Sequence, residues 1–333
     1  MSFYQTCIRT SIAFLVVLSA TIAIACNIPV FRYALERWRP DLCQVIVFHE
    51  GNLTDVQEQE LQTLEREAAD KGGSANAEIT RSHISTEKDR KRKELWATLC
   101  TQPQVTLPYI VIRTSLGSGE VVNHWSGRLD DTPKANLFHS PIRRELSRRL
   151  LSGDSVVWLL LKSNDPVKNQ SASDLLTVEL DRLSNKLELP DGIGLPGSEL
   201  YSEVPLFLKF TVLVMDPKDP QEQLLIKLMT GFETGEKDEP LVAPVFGRGR
   251  ALEVIPAKQL NTGLIEDLTM FLCGACSCQV KERNPGFDLL LSTHWNRELF
   301  GEDGETPPTV TTLERTPSTP SLLTIPPGRK KQQ

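Results

Sequence analysis

Val156-Val157-Trp158-Leu159-Leu160-Leu161 is the stretch that decides the fold. The run is apolar throughout and is bounded by Ser155 and Lys162. A strand with one wet face would alternate polar and apolar residues. An unbroken run of this length predicts a strand covered on both faces, as in the middle of an α/β sheet. Toward the C-terminus, Leu176, Leu180, Leu183 and Leu187 repeat at helical spacing. Residues 206–215 read as another buried strand, and a short helix follows at 221–230. Pro244-Val245-Phe246, Gly247-Arg248-Gly249-Arg250 and residues 251–255 read as strand, turn and strand, before a last helix at 264–272. Toward the N-terminus, Ser140-Pro141 opens a helix with a hydroxyl cap and a first-turn proline. Ile142, Leu146 and Leu150 form its buried stripe, and Gly153 ends it. Before it, residues 107–114 and 120–125 flank the turn Leu116-Gly117-Ser118-Gly119 as a hairpin. Residues 54–99 are densely charged and read as two solvated helices, 55–69 and 80–99, broken at Lys71-Gly72-Gly73-Ser74. Residues 44–48 read as a short buried strand, preceded by a helix from Pro29 with Val30, Phe31, Ala34, Leu35 and Trp38 on one face.

The chain has 333 residues, enough for about two domains. Its 40% apolar and 24% charged composition is that of a globular protein and excludes collagen-like or coiled-coil character. A net charge of −6 argues against non-specific nucleic-acid binding, so no nucleic-acid partner is expected. The run Lys88-Asp89-Arg90-Lys91-Arg92-Lys93-Glu94 mixes both signs and reads as a solvated helix face.

Residues 1–25 read as an export signal: a polar start with Arg9, the apolar run Ile12–Ile24, and an Ala23-Ile24-Ala25 cleavage pattern. The run is too short to span a bilayer core with ease, although an uncleaved anchor over 11–25 is a third reading. Ala23-Ile24-Ala25-Cys26 resembles a bacterial lipobox, with Ala where Leu is commoner. That resemblance implies cleavage before Cys26 and diacylglycerol on its sulfur; a plain signal would leave a thiol there instead. Either way the expected location is extracytoplasmic, in the periplasm or cell envelope. The membrane surface would then be met through the N-terminus, with a further envelope protein as a possible partner. Residues 301–333, rich in Pro and Thr, are expected to be a disordered tail.

From the first helix onward the two halves of the remaining chain repeat one order, helix, strand, helix, hairpin, helix, which a strand at 156–161 precedes in the second half; each expected hairpin opens on a proline, Pro108 and Pro244. This βαβα-ββα order resembles the thioredoxin-like fold, whose members carry a cis-proline before the first hairpin strand, beside the redox site. The fold class implied is α/β: two tandem thioredoxin-like units, 26–153 with a charged helical insertion at 54–99, and 154–300 with a cysteine cluster. The family's redox motif is Cys-x-x-Cys at the start of the first helix, where the helix dipole favours the thiolate. The matching place in the first half is Cys26-Asn27-Ile28-Pro29, with one cysteine; in the second it is Lys162-Ser163-Asn164-Asp165-Pro166, with none. Ordinary dithiol exchange is therefore not expected at either place. The first half also lacks an evident first strand unless residues 20–25 serve as one.

Seven cysteines stand at 7, 26, 43, 100, 273, 276 and 278. Cys273-Gly274-Ala275-Cys276-Ser277-Cys278 packs three of them into six residues at a predicted helix end. Three readings remain open. One is a structural disulfide, Cys273–Cys276 or one of these to Cys100 or Cys43. The second is a Cu(I) or Zn site on Cys273, Cys276 and Cys278, with His294 as a fourth ligand. The third is a redox pair in which Cys273 or Cys276 attacks, although a helix C-terminus disfavours the thiolate. The other motifs are weak. Gly247-Arg248-Gly249-Arg250 lacks the ending of a phosphate loop and reads as a hairpin turn. His49-Glu50 after a strand could edge a site, His124 reads as a packed residue, and Asp130-Asp131 as a solvated turn. No complete catalytic signature appears. The function expected is a binding or assembly scaffold at the envelope, with thiol-disulfide or Cu/Zn handling through the cysteine cluster as the alternative.

Overall fold

The computed structural model describes residues 26–115, 121–132, 136–231, 238–277, 279–302 and 307. The expected signal at 1–25 and nearly all of the 301–333 tail lie outside the described residues, as does Cys278. The elements run α1 (Val30–Arg37), β1 (Cys43–His49), α2 (Asp55–Glu67), β2 (Ala77–His83), α3 (Arg90–Leu99), β3 (Tyr109–Ser115), β4 (Val121–Arg128) and α4 (Pro141–Leu151). The second half runs β5 (Val156–Leu161), α5 (Pro166–Lys186), β6 (Phe210–Met215), α6 (Gln223–Thr230), β7 (Leu241–Phe246), β8 (Arg250–Ala251), β9 (Ile255–Pro256), α7 (Thr262–Cys273), β10 (Phe287–Asp288) and α8 (Trp295–Phe300). None of the described helices is long and apolar enough to cross a membrane.

The strands form two mixed sheets, ordered β2-β1-β3-β4 and β10-β8-β7-β5-β6, with β9 beside β7. In each sheet the first two strands of the half are parallel, β1 with β2 and β5 with β6, and the next strand joins antiparallel. The βαβα-ββα order expected for both halves is therefore present. The deciding stretch is β5, buried along its whole length. Val157, Leu159 and Leu161 face a core shared with the first sheet, while Val156, Trp158 and Leu160 face α1, α5 and α7. Full burial of such side chains contributes roughly 1.5–3 kcal/mol each.

The shared core binds the halves into one body. It joins Val45, Val47, Ile110 and Ile112 of the first sheet to Val157, Leu159, Ala243 and Val245 of the second. Leu146 and Leu150 of α4 and Leu224, Leu225 and Leu228 of α6 belong to the same cluster. On the far face of the first sheet, Leu99 of α3 closes a small cluster with Ile46, Phe48, Tyr109 and Val111.

Three expectations are corrected. The stretch 54–99 is not a helical insertion: between α2 and α3 it holds β2, paired residue for residue with β1 from Cys43–Ala77 to His49–His83. Ala77 and Ile79 alternate inward, but Glu78, Arg81 and His83 give this edge strand the charge of a solvated helix. The missing first strand is β1 itself, so residues 20–25 are not needed. Helix α1 is not the first helix of the first unit. It precedes β1 and packs against β5, β7 and α7 in the second half, buried almost all round, including Arg32 and Glu36. Finally, Leu107-Pro108 is cis, as the resemblance implies, but Pro244 lies inside β7. The residue placed before β7 as Pro108 is before β3 is Pro240. Leu107-Pro108 is the one cis peptide among the described residues.

The Gly247–Arg250 turn joins β7 to β8 as expected. Gly247 and Gly249 adopt φ of 58° and 89°, and a Cβ on Gly249 would stand 2.3 Å from Leu291 Cδ1. Between them Arg248 turns inward, its Nε donating to Leu35 O at 2.7 Å and one Nη to Glu36 O at 2.9 Å, which closes the C-terminal end of α1. Gly249→Ala is expected to cost about 1–3 kcal/mol through left-handed strain, plus whatever shift Leu291 requires. Urea unfolding read by circular dichroism measures it, and an unchanged midpoint would show that the turn relaxes freely.

Candidate functional site

The cysteines that sequence singles out meet a partner it does not. The segment after α7 runs antiparallel to the chain entering α1. Pro29 pairs with Ala275, Val30 N–H donates to Gly274 O at 3.0 Å, and Cys276 N–H donates to Ile28 O at 2.9 Å. Proline has no N–H to give, and it occupies the pair that needs none. The result is a seam on which Cys26, Cys273 and Cys276 share one buried apolar cluster with Trp158, Phe246 and Leu272. All three are thiols, as are Cys43 and Cys100. Cys43 opens β1 in the shared core and Cys100 lies exposed after α3, so neither joins this cluster as the expected bridge partner. Cys26 joins Cys273 and Cys276 in this cluster instead, as a third buried thiol.

Burial pushes the Cys273 thiol far above its ordinary value. It is also the last residue of α7, where the carbonyl end of the helix opposes a thiolate. This is the chemistry of a packing thiol, not of a nucleophile. His294 is exposed at the start of α8, whose Trp295 and Leu299 pack in the shared core, away from the thiol cluster. Among the described residues, no group of three His, Cys, Asp or Glu side chains is placed to hold a metal ion. The expected fourth ligand is therefore not brought to the cysteines. Cys43 is likewise held up, to about 12, by burial first and by the Asp288 charge second. Alkylation of the native protein at pH 8 should thus label Cys100 within minutes and leave Cys43 and Cys273 unmodified until denaturant is added. Peptide mass mapping checks this, and prompt labelling of Cys273 would reinstate it as a reactive site.

Below the seam a buried ionic latch holds the same two segments. Trp38 Nε1 donates to Gln279 O at 3.0 Å. Lys281 donates to Arg39 O at 2.7 Å, to Asp41 at 2.8 Å and to Asp288. Arg250 donates to Asp288 at 3.2 Å and to the carbonyls of Asn284, Pro285 and Gly286. Two small cavities of about 220 and 210 Å³ flank the latch, but its cations are already committed to these acceptors.

The places where a thioredoxin-like unit would carry its redox pair are the strand-to-helix turns after β1 and β5. In this chain the first such turn is Glu50-Gly51-Asn52-Leu53-Thr54, not Cys26–Pro29 as expected, because α1 precedes β1. Neither turn contains cysteine. Both helix starts are closed by their own side chains. Thr54 and Gln57 form a capping box on α2. Asp165 accepts from Val167 and Lys168 N–H on α5, and Asn169 folds back onto Ser163. His124 is a packed residue, as expected: it is buried, its Nε2 is 2.7 Å from Thr114 Oγ1, and desolvation lowers its pKa. The groups that sequence passed over are the buried Arg32–Glu36 pair and His83, which stands beside the His49 expected as a site edge. The first could have been flagged by its i, i+4 spacing on a largely apolar helix; His83 leaves no local signal.

No protein-family model matches the chain, and no curated protein matches it. Among solved structures, the chain is similar to the first two thioredoxin domains of Naumovozyma dairenensis Eps1p, at 10% identity and a TM-score of 0.22, over 75% of this chain and 98% of that one.

Proposed function

We propose that this chain is an exported envelope protein in which two thioredoxin-like units serve as a binding or assembly scaffold, without thiol exchange. One observation carries the reading: both strand-to-helix turns where a redox pair would sit lack cysteine, and the helix N–H groups that would stabilise a thiolate are already capped by Thr54 and Asp165. The repeated βαβα-ββα order supports the thioredoxin-like assignment. The cysteines serve packing instead, and the seam they line fastens the first mature residues to the end of α7. Cys26 is 7% exposed, with Asn27 N–H bonded to Ser198 Oγ at 2.9 Å. A thiol at the end of a cleaved signal agrees with that burial better than a diacylglyceryl group does. The thiol-handling alternative rests on Cys26, Cys273 and Cys276 sharing one cluster, and the raised Cys273 thiol weighs against it.

The test is intact mass spectrometry of protein isolated from its native envelope and alkylated without reduction, paired with an insulin-reduction assay. A chain beginning at Cys26 and showing no turnover above the uncatalysed rate is expected. A mass that retains residues 1–25, or catalytic insulin reduction, would overturn the proposal. An acylated Cys26 would keep the export and scaffold reading and overturn only the plain thiol.

A further inference from the structure

We propose that His49 and His83 form a binding site for a divalent transition-metal ion of the Zn²⁺, Cu²⁺ or Ni²⁺ class, at the carboxyl end of the first sheet. The two residues end neighbouring parallel strands and are the last pair of the β1–β2 register. Side chains in register on adjacent strands project to the same face. Their rings stand edge to face with centroids 5.2 Å apart, and both are half-buried.

Each ring has a nitrogen available to an ion. His49 Nδ1 lies 3.3 Å from Gly51 O. A carbonyl only accepts, so this bond puts the proton on Nδ1 and leaves the Nε2 lone pair available. Metal-binding histidines are oriented in the same way, by donating their other N–H to a carbonyl. His83 Nδ1 is buried and has no hydrogen-bond partner among the described residues. An orphaned buried nitrogen carries a desolvation cost that a coordinated ion would remove.

The surroundings favour nitrogen ligation over a carboxylate site. Glu58 is bound by both Nη atoms of Arg81, each at 2.9 Å, and Glu65 by the same guanidinium. Glu50 accepts from Ser85 Oγ at 2.8 Å. With the nearby carboxylates engaged, the two imidazoles select borderline ions over Ca²⁺ or Mg²⁺. No third protein ligand is placed among the described residues, so water completes the coordination and leaves positions open to a group from a partner.

The experiment uses the full mature chain. Zn²⁺ is titrated calorimetrically, and Cu²⁺ is added for electron paramagnetic resonance. The unaltered protein should bind one ion and give hyperfine structure from two nitrogens. His49→Gln and His83→Gln should each weaken Zn²⁺ binding at least tenfold, while a Cys273→Ser/Cys276→Ser variant should bind as the parent does. The copper spectrum of the unaltered chain keeps the test independent of how any variant folds. The proposal fails if Zn²⁺ affinity survives in the double histidine variant, if it is lost with the cysteines, or if the copper spectrum lacks the two-nitrogen pattern.

Discussion

Asp288→Ala is expected to destabilise the protein by about 3–5 kcal/mol. Asp288 is 6% exposed and is the buried counter-charge of two cations, Lys281 and Arg250, themselves 8% and 6% exposed. Deleting it leaves Lys281 with Asp41 and the Arg39 carbonyl, and leaves Arg250 with backbone carbonyls and a longer contact to Asp41 at 3.9 Å. The charges then remain desolvated without their partner, and that penalty dominates. Burial alone would raise the Asp288 pKa, but Lys281 and Arg250 prevail and hold the carboxyl below its ordinary value. The sign follows from this depression. The stabilisation is complete above the unfolded carboxyl value of about 3.9 and is lost as pH falls through the lower folded value. Asp41 behaves oppositely: burial, then the Asp288 charge, raise its pKa, so its penalty is relieved as pH falls. Urea unfolding at pH 7 and at stepwise lower pH measures both effects. The gap between parent and variant should be widest near neutrality and close below about pH 4. A gap that is absent at pH 7 would show that water enters the latch.

Glu36→Ala should cost nearly as much, about 3–5 kcal/mol, for a different reason. Its carboxylate accepts five hydrogen bonds: from Arg32 Nε at 2.9 Å, Arg37 at 3.0 Å, Tyr201 N–H at 3.1 Å, Ser202 N–H at 3.0 Å and Ser202 Oγ at 3.1 Å. The loss therefore strands a buried guanidinium and orphans two backbone amides in one step. Arg32 would keep its bonds to the Ser202 and Val204 carbonyls, both at 2.7 Å, but no charge partner. The double variant Arg32→Leu/Glu36→Leu separates the two penalties. It removes the lone charge, so it should be more stable than Glu36→Ala, yet it should remain below the parent because the amides of residues 201 and 202 stay unpaired. Full recovery in the double variant would assign the whole effect to charge burial. A double-mutant cycle on unfolding midpoints reads the difference.

Strongly periodic or wholly apolar elements were legible in the sequence. The β5 run, the Ser140-Pro141 helix start and the Gly247–Arg250 turn stand where their residues place them, because each is specified by local chemistry. The misread elements are those whose partners are remote. β2 has only Ala77 and Ile79 to mark its inner face, and its Arg81 serves Glu58 and Glu65 on α2, a pairing invisible without the fold. Helix α1 shows an apolar stripe, which explains a helix but not which half it joins. Its polar residues carry that information, since Arg32 and Glu36 recognise the backbone of residues 201–204. The thiol seam failed to show for the same reason, as Cys26 and Cys276 lie at opposite ends of the chain. The motif Cys273–Cys278 drew attention to its own spacing, whereas burial decides its chemistry.

The docking of residues 26–38 onto β7, α7 and the segment ending at Lys281 sets the order in which this protein can be completed. A nascent chain presents α1 first and the surface that receives it last. At ribosomal speeds of about 5–20 residues per second, α1 waits roughly 10–50 s for its groove to be synthesised. Throughout that interval Val30, Phe31, Tyr33 and Trp38 have nowhere to pack, and they are the residues a chaperone would hold. The α1 segment is thus the keystone set last, and a chain cut short before residue 281 lacks part of the surface that closes it.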